Sequence, residues 1–371
     1  FCNLIYKSSN KKMKTNSTNK LLTPSYGPEK KSLSAIEDWR SYAKKIQIDA
    51  NNIILGQEKA VKLIIISLFA RGHVLLEGGV GVGKTTLLQI ITKLIGGEYE
   101  RVEGTVDLMP NDIIYHASIN SQGKPSISNG PILKKGEDLS IFFFNEINRA
   151  RPQVHSLLLR AMAEKSISAF NKDVFLPHMV VFADRNQVEK NETFELPAAA
   201  RDRFMMEISI QAPKDKKLRD SIIFESKFQN TAKLVEAIPS PKFDCKELNE
   251  VSDSIQDAIQ ASDHIKNYVE NLWLATENPK KFGINIKDVD IDDFIIAGAS
   301  PRGMIMLIKA AKVNAWLNNR AYIDPIDINE IFHEVMAHRL VLSRIYENNR
   351  IELLREFSNE ILLKVPTPEL G

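Results

Sequence analysis

The sequence predicts an α/β domain built on a parallel sheet, followed by a smaller domain made of helices. In the first 211 residues, short apolar runs that fit strands alternate with helical patterns. This alternation is typical of a parallel sheet with helices on both faces. After Pro213 several lysines follow, and the later patterns are helical. We therefore place a domain boundary near Gln211, in a chain of 371 residues that is long enough for two domains.

The predicted sheet has five strands, each a short run of mainly apolar residues. They are Val74–Glu77, 99–102, 141–144, 179–183 and 205–208. Between them, residues 152–165 carry apolar side chains at helical spacing. The apolar run at 63–66 is too short to span a membrane and predicts a buried helix.

Two stretches in the first domain alternate between polar and apolar residues around a turn. Residues 116–128 turn at Gly123, and residues 166–175 turn at 171–173. This pattern predicts two inserted hairpins.

A glycine-rich loop follows the first predicted strand. Residues 78–85 read Gly-Gly-Val-Gly-Val-Gly-Lys-Thr, which fits the pattern G-x-x-x-x-G-K-[ST] of a loop that wraps nucleotide phosphates. Glycines let backbone N–H groups point at phosphate oxygens, and the following helix presents its N-terminus to the anion. Lys84, expected in a solvated loop, would reach the outer phosphates, and the Thr85 hydroxyl would bind Mg²⁺. The loop therefore predicts a site for a nucleotide triphosphate with Mg²⁺.

A second motif ends the central predicted strand. Residues 141–150 read Ile-Phe-Phe-Phe-Asn-Glu-Ile-Asn-Arg-Ala, and the carboxyl end of such a strand faces the phosphates. In P-loop ATPases an Asp at this point holds the Mg²⁺ shell, and the following Glu polarises the attacking water. Glu146 fits the second role. Asn145 keeps an acceptor oxygen for the metal but lacks the charge.

Asn145 leaves two interpretations open. Loss of a charge-assisted hydrogen bond to a metal-bound water costs about 1–3 kcal/mol, which predicts slow hydrolysis that Asn145→Asp would accelerate. Alternatively, a nearby acid such as Asp184 already replaces the missing charge. Arg149, after Glu146, is a candidate for a salt bridge at a subunit interface.

Several ordered blocks make the chain resemble MoxR-type AAA+ ATPases, from about Trp39 to Glu347. The blocks are Leu55-Gly56-Gln57, residues 71–78, 107–112, 129–132 and 146–150, Leu196-Pro197, and residues 202–204 and 298–302. Such a set in order is more specific than any one motif. Two places depart from the family pattern. Val80 stands where the family has Pro, and residues 183–187 read Ala-Asp-Arg-Asn-Gln instead of Ala-Thr-Gln-Asn-Pro.

The resemblance implies a P-loop NTPase core of AAA+ type with a helical lid, and it assigns roles to three further residues. Asn186 would be sensor 1, Arg203 the arginine finger that reaches the neighbouring subunit's nucleotide, and Arg302 sensor 2 on the lid. Together with Glu146 they form the expected catalytic set. The residues expected to hold ATP are Gly56, Gln57, Gly78, Gly79, Val80, Gly81, Val82, Gly83, Lys84, Thr85 and Thr86, with Thr85 and Asn145 facing the metal.

The resemblance also implies hexameric rings, partners of von Willebrand A type, and protein clients that are remodelled or matured. The two hairpins would project toward the ring pore. We therefore expect an ATP-hydrolysing ring chaperone. Two alternatives stay open: a nucleotide-gated assembly scaffold that scarcely hydrolyses ATP, favoured by Asn145, and a DNA-directed AAA+ protein. Nucleic acid is the less favoured partner, because the chain beyond its basic N-terminus is slightly acidic and carries no recognisable DNA-binding module.

We divide the chain into five parts. Residues 1–34 carry seven lysines and one glutamate, which predicts a disordered basic leader, with Met13 as a candidate true start. Ser300-Pro301 and Asp324-Pro325 each supply an N-cap and a first-turn proline, which predicts two lid helices. The parts are the leader at 1–36, the AAA+ domain at 37–211, a linker at 212–240, the lid at 241–350 and a C-terminal tail at 351–371.

Composition is that of an ordinary globular chain, with 43% hydrophobic and 26% charged residues. Cys2 and Cys245 lie far apart, so no disulfide framework is indicated. The seven histidines show no metal-ligand spacing, so no metal besides Mg²⁺ is expected. These features favour a soluble cytoplasmic protein without stable membrane insertion.

Overall fold

The structure, a computed structural model, describes residues 33–119, 122–185 and 194–368. The predicted leader at 1–36 lies almost wholly outside this part of the chain, although its last four residues, 33–36, begin the first helix. Asn186 also lies outside the described residues. Those residues form a five-stranded parallel sheet with inserted hairpins, followed by a helical domain.

Strands and helices are numbered in chain order. The strands are β1 (Val74–Glu77), β2 (Glu98–Glu103), β3 (Tyr115–Ile119), β4 (Pro125–Asn129), β5 (Leu139–Asn145), β6 (Ser166–Ala169), β7 (Lys172–Phe175), β8 (Val180–Arg185), β9 (Met206–Ser209), β10 (Ile295–Ala297) and β11 (Val341–Leu342). The helices are α1 (Leu33–Ile53), α2 (Glu58–Phe69), α3 (Lys84–Ile95), α4 (Pro110–Ile114), α5 (Pro152–Glu164), α6 (Ala198–Arg201), α7 (Lys216–Phe224), α8 (Ser226–Gln229), α9 (Thr231–Glu236), α10 (Leu248–Ala258), α11 (Asp263–Glu277), α12 (Ile291–Phe294), α13 (Pro301–Leu317), α14 (Pro325–Met336) and α15 (Arg350–Lys364).

The five predicted strands are confirmed as the central sheet. Its order is β2-β5-β8-β1-β9, and every neighbouring pair is parallel. β5 and β8 continue past their apolar runs to Asn145 and Arg185, because the ladder of paired residues extends that far. All carboxyl ends of the strands therefore lie at one edge of the sheet, termed here the carboxyl edge, and all amino ends lie at the opposite, amino edge.

Both faces of the sheet are buried. On one face, side chains such as Leu76, Phe143 and Phe182 pack in a cluster with residues of α1, α2 and α3. On the other face, Leu75 and Phe142 belong to a separate cluster that includes residues of α5. Nearly continuous apolar strands are what a parallel sheet with two covered faces requires.

Both predicted hairpins are confirmed, as the antiparallel pairs β3–β4 and β6–β7. The turn of the second hairpin differs from the one predicted at 171–173. Because Ala169 pairs with Lys172, only Phe170 and Asn171 remain in the loop, and both have positive φ, at 52° and 59°. Two residues with positive φ are typical of a tight hairpin turn.

The lid helices begin where the cap signals place them. Ser300 Oγ accepts a hydrogen bond from the Gly303 N–H at 3.0 Å, and the Asp324 carboxylate accepts one from the Ile326 N–H at 3.1 Å. The predicted buried helix at 63–66 is confirmed within α2. In the part of the chain that the structure describes, no helix combines the length and apolar character needed to cross a membrane.

The C-terminal tail assigned to 351–371 requires a correction, because α15 occupies most of it. Leu354, Phe357 and Ile361 are buried on one face of this helix, and the Phe357 ring lies 5.3 Å from the ring of Phe294. The helical spacing of these apolar residues is the signal that the prediction overlooked. α15 is a packed part of the lid.

The packing of α15 predicts a clear difference between two substitutions on the same helix. Phe357 is fully buried, whereas Leu363 is 73% exposed. Phe357→Ala should lower the free energy of unfolding by about 3–5 kcal/mol because it leaves a cavity. Leu363→Ala should change it by less than about 0.5 kcal/mol. Urea unfolding of the two variants measures this, and equal midpoints would contradict the described packing.

Candidate functional site

The glycine-rich loop joins β1 to α3 at the carboxyl edge. Gly83 has a φ of +88° and directly precedes α3, a helix of 12 residues. Gly78 approaches the Ile210 carbonyl so closely that a Cβ would lie 2.3 Å from its oxygen. By contrast, space around Gly79, Gly81 and Gly83 is open, with no atom within 4 Å of a Cβ built there. The loop therefore presents open backbone in front of a helix N-terminus, as phosphate binding requires.

Lys84 is held inside the site, which corrects the expectation of a solvated side chain. Its side chain is only 10% exposed. The ammonium donates to the Gly78 carbonyl oxygen at 2.8 Å and lies 2.6 Å from Asp184 Oδ2. An incoming phosphate would therefore have to compete with Asp184 for the Lys84 ammonium.

Asp184 is the residue that the sequence analysis named only as an alternative source of the charge that Asn145 lacks. It lies near the end of β8 with 1% of its surface exposed, and its second oxygen accepts a hydrogen bond from the Glu146 N–H. Burial raises the pKa of the Asp184 carboxyl, while the contacts with Lys84 and Glu146 oppose that rise. Its carboxylate therefore joins the glycine-rich loop to the start of the Glu146 segment.

Asn145 and Glu146 end β5 beside Asp184. The Asn145 side-chain amide donates a hydrogen bond to Glu103 at the end of β2. Glu146 has a φ of +53°, and its carboxylate accepts a hydrogen bond from Arg149 at 2.7 Å. Arg149, considered for a subunit interface, thus has a partner within its own chain.

The remaining predicted nucleotide residues line the same region. Thr85 and Thr86 lie half-buried in the first turn of α3, and Val80 is 78% exposed at the tip of the loop. Gln57 is buried, and its amide donates to the Gln211 carbonyl oxygen.

A cleft of about 430 Å³ lies between the α/β domain and the lid. Gly56 and Gln57 line one side, and His333 and Glu334 of α14 line another. Lys59 crosses it to Glu334 at 2.5 Å. The cleft is within the usual size range for small-ligand sites, and it adjoins the loop because Ser209 and Gln211 line it on either side of Ile210, which Gly78 contacts. It offers room for the base and sugar of a nucleotide.

Arg203 and Arg302 lie at the opposite, amino edge. Arg203 precedes β9, whose first residue pairs with Val74 at the start of β1, whereas the loop follows Glu77 at its end. Four residues of strand separate the two edges by roughly 10 Å or more. Arg302 forms an ion pair with Asp202 at 3.1 Å. The two arginines therefore share one region, and it is not the one that holds Lys84.

Arg339 is a buried residue that the sequence analysis missed. It is 4% exposed and lies just beyond the end of α14. Its guanidinium lies 3.2 Å from the Asp202 carboxylate and donates to the carbonyl oxygens of Phe204, at 2.6 Å, and Met205, at 3.2 Å. It therefore fixes the backbone on both sides of Arg203, and no local sequence pattern marks such a role.

The donor set fits Mg²⁺ that arrives with a nucleotide. Among the described residues, no group of three or more His, Cys, Asp or Glu side chains could hold a metal ion by itself. The Thr85 hydroxyl, the Asn145 amide and the Asp184 carboxylate are oxygen donors, which Mg²⁺ prefers, and Mg²⁺ usually completes its shell with phosphates and waters.

Family models match the two parts of the chain that carry these groups. A model of the ATPase family associated with various cellular activities (AAA) matches residues 73–206. A model of the AAA lid domain matches residues 290–361.

Individual relatives match nearly the whole chain. Protein MoxR of Methylorubrum extorquens is 48% identical over 333 residues, which cover 90% of this chain and 97% of that protein. Protein MoxR of Paracoccus denitrificans is 45% identical over 335 residues, with 90% and 99% covered. Chaperone MoxR1 of Mycobacterium tuberculosis is 31% identical over 332 residues, with 87% and 81% covered. A crystal structure from Cytophaga hutchinsonii, described as a candidate ATPase, has a TM-score of 0.77 at 27% identity and covers 91% of this chain and 98% of that chain.

The ion pair of Lys84 predicts two separable effects of Lys84→Ala. ATP affinity should fall at least about tenfold because the cation at the phosphates is lost. Stability should also fall, by about 3–5 kcal/mol, because Asp184 is left buried without its partner. Adding Asp184→Asn should restore much of the stability but not the affinity. Calorimetry with ATP and thermal unfolding measure the two effects, and a folded Lys84→Ala variant with unchanged affinity would contradict the phosphate site.

Proposed function

This chain belongs to the MoxR family of AAA+ ATPases, and from that premise we propose that it binds ATP with Mg²⁺, hydrolyses it, and acts as a chaperone-like remodelling factor in the form of a ring. One observation carries this proposal. The groups suited to hold a triphosphate lie at the carboxyl edge of the sheet, whereas Arg203 and Arg302 lie at the amino edge. Such a chain is complete as an ATPase only beside a second copy.

The residues at the carboxyl edge have separate roles in the proposed hydrolysis. The loop N–H groups and Lys84 hold the phosphates, and Lys84 exchanges Asp184 for phosphate oxygens when ATP binds. Glu146 orients and polarises the attacking water after it leaves Arg149, which holds its carboxylate at 2.7 Å. Bound Mg²⁺ supplies positive charge at the phosphates, with Thr85 and Asn145 facing it. Asn186 is proposed as sensor 1 from its place after β8.

Assembly follows from the position of the two arginines. Arg203 and Arg302 lie at the edge opposite the loop of their own chain, so we assign both to the nucleotide of a neighbouring subunit. Asp202 and Arg339 hold that region in place. Repetition of such a head-to-tail contact closes a ring, for which we propose six subunits.

The work on clients is proposed from the hairpins and from one relative. Hydrophobic side chains are exposed on both hairpins: Ile119 is 77% exposed, Ile127 59%, Phe170 55% and Phe175 60%. We assign them to contact with a protein client in the pore. The relative named Chaperone MoxR1 supports this role, and a von Willebrand A-type protein is the proposed partner that selects the client.

A nucleotide-gated scaffold with scarcely any hydrolysis is the second candidate function. Asn145 is the observation that favours it, because an amide brings no charge to the metal. Steady-state ATP hydrolysis by the assembled protein distinguishes the two: a turnover that Glu146→Gln does not lower would support the scaffold.

Mixed assemblies test the shared site. Arg203→Ala and Glu146→Gln subunits should each bind ATP yet hydrolyse it at least about tenfold more slowly. When mixed, they should regain part of the activity, because some interfaces then join an intact Glu146 to an intact Arg203. Arg160→Ala, which alters an exposed arginine on α5, serves as the control and should retain full activity. Absence of recovery in demonstrably mixed rings would argue against action between subunits.

A further inference from the structure

We propose that Asp184, on the strand beside Asn145, supplies the negative charge that faces the nucleotide-bound Mg²⁺ in this chain. P-loop ATPases usually have a carboxylate at the position of Asn145, which here contributes only an amide. In this chain the carboxylate lies on the neighbouring strand, at Asp184. This inference rests on the proposed nucleotide function.

The contacts of Asp184 place it inside the site. Its two oxygens meet the Lys84 ammonium at 2.6 Å and the backbone N–H of Glu146. Lys84 is the cation next to the glycine-rich loop, and Glu146 is the residue that would polarise water. Only 1% of the surface of Asp184 is exposed, so water contributes little to stabilising its charge. The Lys84 ammonium and the Glu146 N–H stabilise it instead.

The register of the sheet places Asp184 level with Asn145. Phe144 pairs with Ala183, so the residues that follow them, Asn145 and Asp184, lie side by side on neighbouring strands. Residues at the same level of parallel strands point to the same face. Leu76, which pairs with Asp184, packs in the cluster that contains α3. Asp184 and Asn145 therefore both face α3, whose first residue is Lys84, and adjacent strands are only about 4.8 Å apart.

Asn145 is committed to a different partner. Its amide nitrogen donates to Glu103, and the Glu103 side chain is 49% exposed and also lies 3.6 Å from Arg101. Glu103 is thus a second carboxylate level with Asn145, but it lies on the side away from Lys84. Of the two, Asp184 is the one in contact with the phosphate loop.

The ion pair with Lys84 gives this arrangement a consequence for binding. Without nucleotide, Lys84 and Asp184 neutralise each other. When phosphates take Lys84, Asp184 is left as a buried charge that needs a new cation. Mg²⁺ with its water shell is that cation, so Asp184 couples the binding of the triphosphate to the binding of the metal.

Metal affinity, measured without turnover, tests the assignment. Mn²⁺ replaces Mg²⁺, and the free-ion electron paramagnetic resonance signal reports its binding to the full-length protein saturated with ADP. Asp184→Asn should weaken Mn²⁺ binding roughly tenfold to a hundredfold, while ADP still binds. The Asn145→Asp/Asp184→Asn double variant should recover most of the loss, because one carboxylate again faces the metal. Glu103→Gln should leave the affinity unchanged.

Several outcomes would overturn the proposal. They are an unchanged Mn²⁺ affinity in Asp184→Asn with ADP bound, failure of the double variant to recover, and a loss in Glu103→Gln instead. Failure of the unaltered protein to bind ADP would reject the nucleotide function itself, which is a distinct result. If Asp184→Asn does not fold, anomalous diffraction from Mn²⁺ in the unaltered protein with ADP decides. The ion should lie about 2.1 Å from an Asp184 oxygen, or one water molecule further, and a position out of reach of Asp184 would overturn the proposal.

Discussion

The parallel direction of the five central strands is the constraint on which the arrangement of this protein depends. Parallel strands give a sheet two chemically different edges, because every carboxyl end lies at one and every amino end at the other. The glycine-rich loop, Asn145 and Asp184 are neighbours for this reason, although they come from separate parts of the chain. For the same reason Arg203, which precedes a strand, is kept away from them.

The carboxyl edge also carries ion pairs between poorly exposed side chains. Lys84 pairs with Asp184, and Arg185 lies between Glu77 at 3.2 Å and Glu207 at 2.5 Å. Buried ions are costly unless they are paired and hydrogen-bonded, and removal of one partner leaves the other uncompensated. A phosphate that takes Lys84 would therefore leave Asp184 uncompensated, so this pair makes the site responsive to an anionic ligand.

α14 connects the cleft between the two domains with the region around Arg203. His333 and Glu334 near its end line the cleft beside the glycine-rich loop. Arg339, just beyond the end of the helix, binds the backbone around Arg203. The cleft and the arginine that we assign to the next subunit are thus joined through a single helix of the lid. If occupation of the cleft shifts α14, assembly and nucleotide binding influence each other reciprocally.

The sequence by itself determined the elements whose signals are local. The glycine-rich loop, the five strands, the two hairpins and the capped helices α13 and α14 all follow from short patterns, and the structure has each of them. The tertiary structure decided what depends on strand register and packing. It paired Lys84 with Asp184, placed Arg302 beside Asp202, buried Arg339 against the segment around Arg203, and packed α15 into the lid. These contacts join residues far apart in the chain, and a side chain's partner across a sheet or a domain boundary depends on the register of strands and the packing of helices, which no local pattern of residues encodes.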